Sequence, residues 1–178
     1  KAAGLFGYLY GATIKNVIID GATINSNHYA GGIVAWVLNN SGNQSLPMVI
    51  ENCHVQNSKI TSAAEQVNGA WDNGDKVGGI VGYLPKDGNT NTVTGCTVDT
   101  LAISAYRDYG AVAGAASSTR VKENTVTNVT NERNMAQDYD QSKRENWGNP
   151  VGRDLEWITT LADLQKAFSG AFNLSVNA

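Results

Sequence analysis

Catalysis and metal binding both need a few ionisable side chains gathered at one place. This chain offers few candidates. Asp20, Glu51, Asp99 and Glu123 are the acidic residues along its patterned part. Glycoside hydrolysis needs two carboxylates flanking one bond. Lyase chemistry needs clustered carboxylates for calcium with a base beside them. Asp20 and Asp99 are equivalent outward positions, but Gln56 falls between them and breaks the row. Asp72-Asn73-Gly74-Asp75 resembles a calcium loop but lacks the later Glu of an EF-hand, so it reads as a turn. His28 and His54 are the only histidines, and no third ligand accompanies them. No metal and no cofactor is expected, and the chain reads as a non-enzyme.

Cys53 and Cys96 are the only cysteines. They fall in matching sequence blocks at an inward position, where a cysteine behaves as a small hydrophobe. Stacked free thiols are expected there, with a disulfide as the secondary possibility. Aromatic groups give a second kind of candidate. His28, Tyr29, Trp71, Tyr106, Arg107 and Tyr109 collect at one corner of the repeat. Aromatics beside an Arg can bind a sugar or a protein surface, or can simply cover the edge of the fold.

These groups are positioned by an internal repeat. Gly4-Leu5-Phe6-Gly7-Tyr8-Leu9 returns as Gly32-Ile33-Val34-Ala35-Trp36-Val37 and as Gly79-Ile80-Val81-Gly82-Tyr83-Leu84. Ala111 to Ala116 is a degraded copy. Each copy precedes a second block: Ile14 to Ile19, Ile50 to Val55, Val93 to Val98, and an imperfect Val121 to Val126. A third block holds Ile24, Ile60 and Ile103. The blocks are short, β-branched and bounded by Gly, Asn and Thr, and none sustains a 3.6-residue period.

Three strands per unit, stacked unit on unit about 4.8 Å apart, describe an all-β fold, a right-handed parallel β-helix. Equivalent residues then form columns. Leu5, Ile33, Ile80 and Val112 make one. Val17, Cys53 and Cys96 make another, followed by Ile19, Val55 and Val98, and by Ile24, Ile60 and Ile103. Asn16, Asn52 and Asn124, with Gly95, are expected at a bend just before the second inward residue. If Leu5, Gly7 and Leu9 point inward, an outward aromatic ladder of Tyr8, Trp36 and Tyr83 results, beside Phe6, Val34 and Val81. Apolar residues on both faces of a strand imply cover on both sides, which either the chain's own tail or a glycan or protein partner would supply. The tail is the preferred cover.

The glycine blocks Gly4-Leu5-Phe6-Gly7, Gly32-Ile33-Val34-Ala35 and Gly79-Ile80-Val81-Gly82 resemble the GLUG motif of large bacterial surface proteins, including those of gut Bacteroidetes. The resemblance covers residues 1 to 131, with Ala35 and Ala111 as departures. It implies an extracellular β-helix with adhesive or scaffolding use. Asp99-Thr100-Leu101 is similar to an O-glycosylation pattern of exported Bacteroidetes proteins, which implies the same location.

Composition sets outer bounds. A formal charge of -3 over 178 residues, with no basic stripe, gives no case for nucleic acid. No apolar run approaches the roughly 20 residues of a membrane span, and no signal peptide precedes the first strand. The chain is therefore expected to be part of a longer one. Insertions at 39–47 and 85–91 leave from one point of the repeat, and 62–76 and 104–109 from another. Residues 132–178 form a separate segment. It begins as a polar, extended connection and continues into Thr160-Leu161-Ala162-Asp163, a helix start, with Leu161, Leu164 and Phe168 on one face and Gly170 as a stop. A short α-helix near 160–169 is expected, capping the solenoid or lying on the first-strand sheet. Alternatively, 159–176 opens a second β-helical module. The chain as a whole reads as a non-catalytic extracellular or cell-surface module, an adhesin or scaffold presenting loops to a glycan or protein. The alternative is a carbohydrate-active β-helix of lyase or hydrolase type.

Overall fold

A computed structural model describes residues 2–38, 46–63, 66–67, 70–71, 76–85, 91–105, 108–116, 120–131 and 151–154. It is an all-β parallel solenoid. Four sheets run its length, and the chain visits them in a fixed order, here A to D. Sheet A holds Ala2–Ala3, Tyr29–Gly31, Lys76–Gly78 and Asp108–Gly110. Sheet B holds Phe6–Leu9, Val34–Val37, Val81–Tyr83, Ala113–Ala116 and Val151–Asp154. Sheet C holds Thr13–Lys15, Val49–Glu51, Thr92–Thr94 and Val121–Lys122. Sheet D holds Ile18–Asp20 with Thr23–Ser26, then His54–Ser62, Thr97–Ser104 and Thr125–Asn131.

The unit therefore has four strands and not the three expected. A two- or three-residue strand of sheet A precedes each glycine block. The second block is itself two strands, on sheets C and D, with the bend inside it. The third block is the far half of the long sheet D strand. Strands this short carry too little alternation to register as separate elements in sequence.

The columns stack as the repeat requires. Val34 pairs with Val81 and Val81 with Ala113, which puts Ile33, Ile80 and Val112 in one column, all fully buried. Ile19, Val55, Val98 and Val126 form the next, and Ile24, Ile60 and Ile103 another. Both departures from the glycine block, Ala35 and Ala111, lie in register and are buried. Each enclosed aliphatic contributes about 1.5–3 kcal/mol. One continuous core joins Ile14, Ile50, Val93 and Val121 of sheet C to the sheet B and D columns.

Two bends repeat from coil to coil, each at a left-handed residue. The first is Asn16, Asn52, Gly95 and Glu123, with φ of 58°, 53°, 62° and 56°. Asn124 was expected here; it stands one position further on, in the cysteine column, and Glu123 takes the bend. The second is Gly21, Asn57, Thr100 and Asn128, with φ of 69°, 49°, 51° and 52°. Gly and Asn tolerate this backbone; a β-branched Thr does so at a cost. At the A-to-B corner close approach rules instead. A β-carbon on Gly32 would lie 2.3 Å from the carbonyl oxygen of Gly79 and 2.7 Å from Val55 Cγ2.

The insertion at 62–76 contains an antiparallel pair, Gln66–Val67 with Ala70–Trp71. The tail returns to the solenoid at Val151–Asp154, the fifth strand of sheet B, beside Ala113–Ala116. The helix expected near 160–169 lies outside the described residues, as does any further cover from the tail.

Candidate functional site

The corner where sheet D gives way to sheet A is closed by Ser26. Its hydroxyl donates to the Tyr29 carbonyl at 2.8 Å and accepts from the His28 amide at 3.0 Å. His28 is half-buried there, and its carbonyl accepts from Ser62 Oγ at 3.4 Å and from the Lys76 amide at 3.2 Å. This hydroxyl bridge turns the chain within two residues and delivers Tyr29 to the first position of its sheet A strand.

Tyr29 then meets the aromatic column of sheet B. Tyr8, Trp36 and Tyr83 are paired in register. Ring centroids lie 5.6 Å apart for Tyr8 and Trp36, and 6.2 Å for Trp36 and Tyr83. Tyr29 packs on Trp36 at 4.6 Å and stacks with Tyr83 at 6.0 Å, nearly parallel at 17°. The two groups that sequence kept apart, the corner and the ladder, thus share Tyr29. Tyr8 is 51% exposed, while Trp36, Tyr83 and Tyr29 are half-buried. The neighbouring column runs from Phe6, 39% exposed, to fully buried Val34 and Val81, so cover is complete there from the second coil onward.

Two charged residues complete the cluster. Lys76 pairs with Tyr29 on one side and Asp108 on the other. Its ammonium lies 5.4 Å from the Tyr29 ring centroid, 5.3 Å from that of Tyr83, and 3.8 Å from Asp108 Oδ2. A cation over aromatic faces contributes about 0.5–2 kcal/mol, more as it is desolvated. Sequence reasoning missed both Lys76 and Asp108. The signal was available: Lys76 follows Tyr29 by the same interval as Gly79 follows Gly32, so the repeat itself aligns them.

The remaining candidates separate. Tyr109 belongs to the core, in the column of Ala30 and Val77, 8% exposed. Trp71 lies on the hairpin strand opposite Gln66. Tyr106 and Arg107 lie outside the described residues. His54 is half-buried on sheet D between Ile18 and Thr97, a coil away from His28.

Carboxylates are dispersed among amides. Asp20 accepts from Gln56 Nε2 at 2.8 Å and from Asn57 Nδ2 at 2.9 Å. Those bonds, Asn57 first, hold its carboxyl below the ordinary range. Asp99 accepts from Thr100 Oγ1 at 3.2 Å and Asn128 Nδ2 at 3.4 Å. Gln56 does stand between the two acids, as their register requires. Glu51 is engaged by Lys15 at 2.7 Å. Among the described residues no three of His, Cys, Asp and Glu converge as a metal site, and no described helix is long and apolar enough to cross a membrane.

Cys53 and Cys96 are free, buried and in adjacent coils of one column. Each thiol also lies against backbone: Cys53 Sγ is 3.5 Å from the Glu51 carbonyl oxygen, and Cys96 Sγ 3.5 Å from that of Thr94. Its hydrogen bond to Cys53 and its burial hold the Cys96 thiol protonated, far above the ordinary thiol range. A buried neutral thiol is a poor nucleophile.

Comparison with protein-family models, curated proteins and solved structures finds no match.

Proposed function

We propose that this chain is a non-catalytic extracellular or cell-surface solenoid module that binds a glycan or a surface protein through the aromatic cluster of Tyr8, Trp36, Tyr83 and Tyr29. The observation that carries this reading is the cluster itself: three in-register rings joined by a fourth across the sheet A corner, with Tyr8 half open to solvent. Exposed aromatic faces supply large contact area at low entropic cost and suit both sugar rings and protein partners. The separation of the acidic side chains by amide partners favours binding over hydrolysis. The extracellular location is supported by the likeness of the glycine blocks to the GLUG motif.

A glycan array and a screen against bacterial and host surface proteins test the reading, with Tyr8→Ala and Trp36→Ala compared with the parent chain. Binding that both substitutions weaken about tenfold or more, with the circular dichroism spectrum retained, supports it. Binding untouched by both removes the cluster from the account. Release of product from any polysaccharide refutes the non-catalytic assignment.

A further inference from the structure

Two thiols share one interior column and take no part in the aromatic cluster. Cys53 is 1% exposed and Cys96 fully buried, and both are free. Each follows a left-handed bend residue, Asn52 with φ of 53° and Gly95 with φ of 62°. The strands on either side hold the two coils in register. Ile50 pairs with Val93 and His54 with Thr97, and the Thr97 amide donates to the Cys53 carbonyl at 2.9 Å. The two α-carbons are therefore one coil step apart, about 4.8 Å. A disulfide joins α-carbons about 4.4–6.8 Å apart.

The side chains also point the same way. Cys53 Sγ lies 3.9 Å from the Ile14 carbonyl oxygen in the coil beneath it, and Cys96 Sγ 4.0 Å from that of Ile50. Cys96 thus reaches toward the coil of Cys53, to which it is hydrogen-bonded. That bond, ahead of any other cause, holds the Cys53 thiol down to about 6. At neutral pH Cys53 is then the thiolate and Cys96 keeps its proton. As the only cysteines of the chain, they can pair within it only with each other.

The geometry points to a modification site: Cys53 and Cys96 are oxidised by hydrogen peroxide to a disulfide that ties the second coil to the third. Peroxide is little larger than the water it becomes. The Cys53 thiolate attacks one peroxide oxygen, the O–O bond breaks, and a sulfenic acid forms on Cys53 as hydroxide leaves. That hydroxide takes the Cys96 proton. The Cys96 sulfur then attacks the Cys53 sulfur, the S–O bond breaks, and the departing hydroxide takes up the proton that Cys53 had released to solvent. Two thiols and one peroxide give one disulfide and two waters. The bond closes a loop that contains Lys76 and Tyr83, and joins them covalently to the coil of Tyr29 and Trp36.

The test treats the full folded chain with hydrogen peroxide at neutral pH and titrates its thiols in denaturant. Both thiols should be lost, and dithiothreitol should restore both. Trypsin should release the Cys53 and Cys96 peptides joined by a reducible bond. Melting should rise by roughly 5–10 °C. The Cys96→Ala variant, treated alike, should show neither the joined peptides nor the rise in melting. Thiols that persist in the parent chain overturn the proposal. So does oxidation to sulfinic or sulfonic acid that dithiothreitol does not reverse, or a linkage formed only between separate chains.

Discussion

Asn124 stands in the column of Cys96, one coil on, and its amide makes two bonds to the coil beneath: Oδ1 accepts from the Cys96 amide at 2.8 Å and Nδ2 donates to the Val93 carbonyl at 3.1 Å. Asn124→Ala leaves both backbone groups without that partner. The expected loss is about 1–3 kcal/mol, read as a lower urea midpoint with an unchanged slope.

Two glycines should respond to alanine for opposite reasons. Gly32→Ala drives a methyl into the Gly79 carbonyl and the Val55 side chain, and should cost about 3 kcal/mol. Gly21 has open space around it but a φ of 69°. Gly21→Ala should cost about 1 kcal/mol from backbone strain alone. Equal losses in thermal melts of the two variants would contradict the packing of the A-to-B corner.

Thr100 occupies a left-handed bend where the other coils place Gly21, Asn57 and Asn128. Thr100→Asn should therefore stabilise the protein by about 1 kcal/mol. A destabilised variant would mean that the Thr100 hydroxyl, 3.2 Å from Asp99 Oδ1, outweighs the strain.

One column should give a graded series. Ile80→Ala opens a cavity in a fully buried site and should cost about 2–5 kcal/mol. Leu5→Ala, at the half-exposed head of the same column, should cost far less. Chemical denaturation of the two variants measures the difference.

Acid should probe Asp20. Hydrogen bonds from Asn57 and Gln56 lower its carboxyl pKa in the folded protein, while the unfolded value is about 3.9. Its contribution is then complete above the unfolded value and is lost as pH falls through the folded one. Asp20→Asn should flatten the acid limb of stability below about pH 4, being less stable than the parent at neutral pH and converging with it in acid. An unaltered acid limb in pH-dependent denaturation would show that these exposed bonds do not persist in solution.

Much of the fold is readable in the sequence. The glycine blocks at Gly4, Gly32 and Gly79 and the columns of Ile33, Val55 and Ile60 follow from intervals in the sequence, because stacked coils must put like residues one above another. The strands of sheet A were invisible, since Tyr29–Gly31 and Lys76–Gly78 are too short to carry a pattern. The Tyr8, Trp36 and Tyr83 column can be written down from the repeat, whereas the burial of Tyr109 shows only in the structure, because alternation in a three-residue strand does not show which side turns inward.

By itself, then, the chain's order of residues determined the stack: its repeat, its buried columns and the two cysteines placed one above the other in one of them, all consequences of local spacing. Only the tertiary structure decided what the corners do. That Glu123 and not Asn124 makes the bend, and that Tyr29 and Lys76 close over Trp36 and Tyr83, depends on the angle at which one sheet turns into the next. That angle is set by contacts between coils, such as Gly32 against Gly79 and Val55, and not by neighbours in sequence.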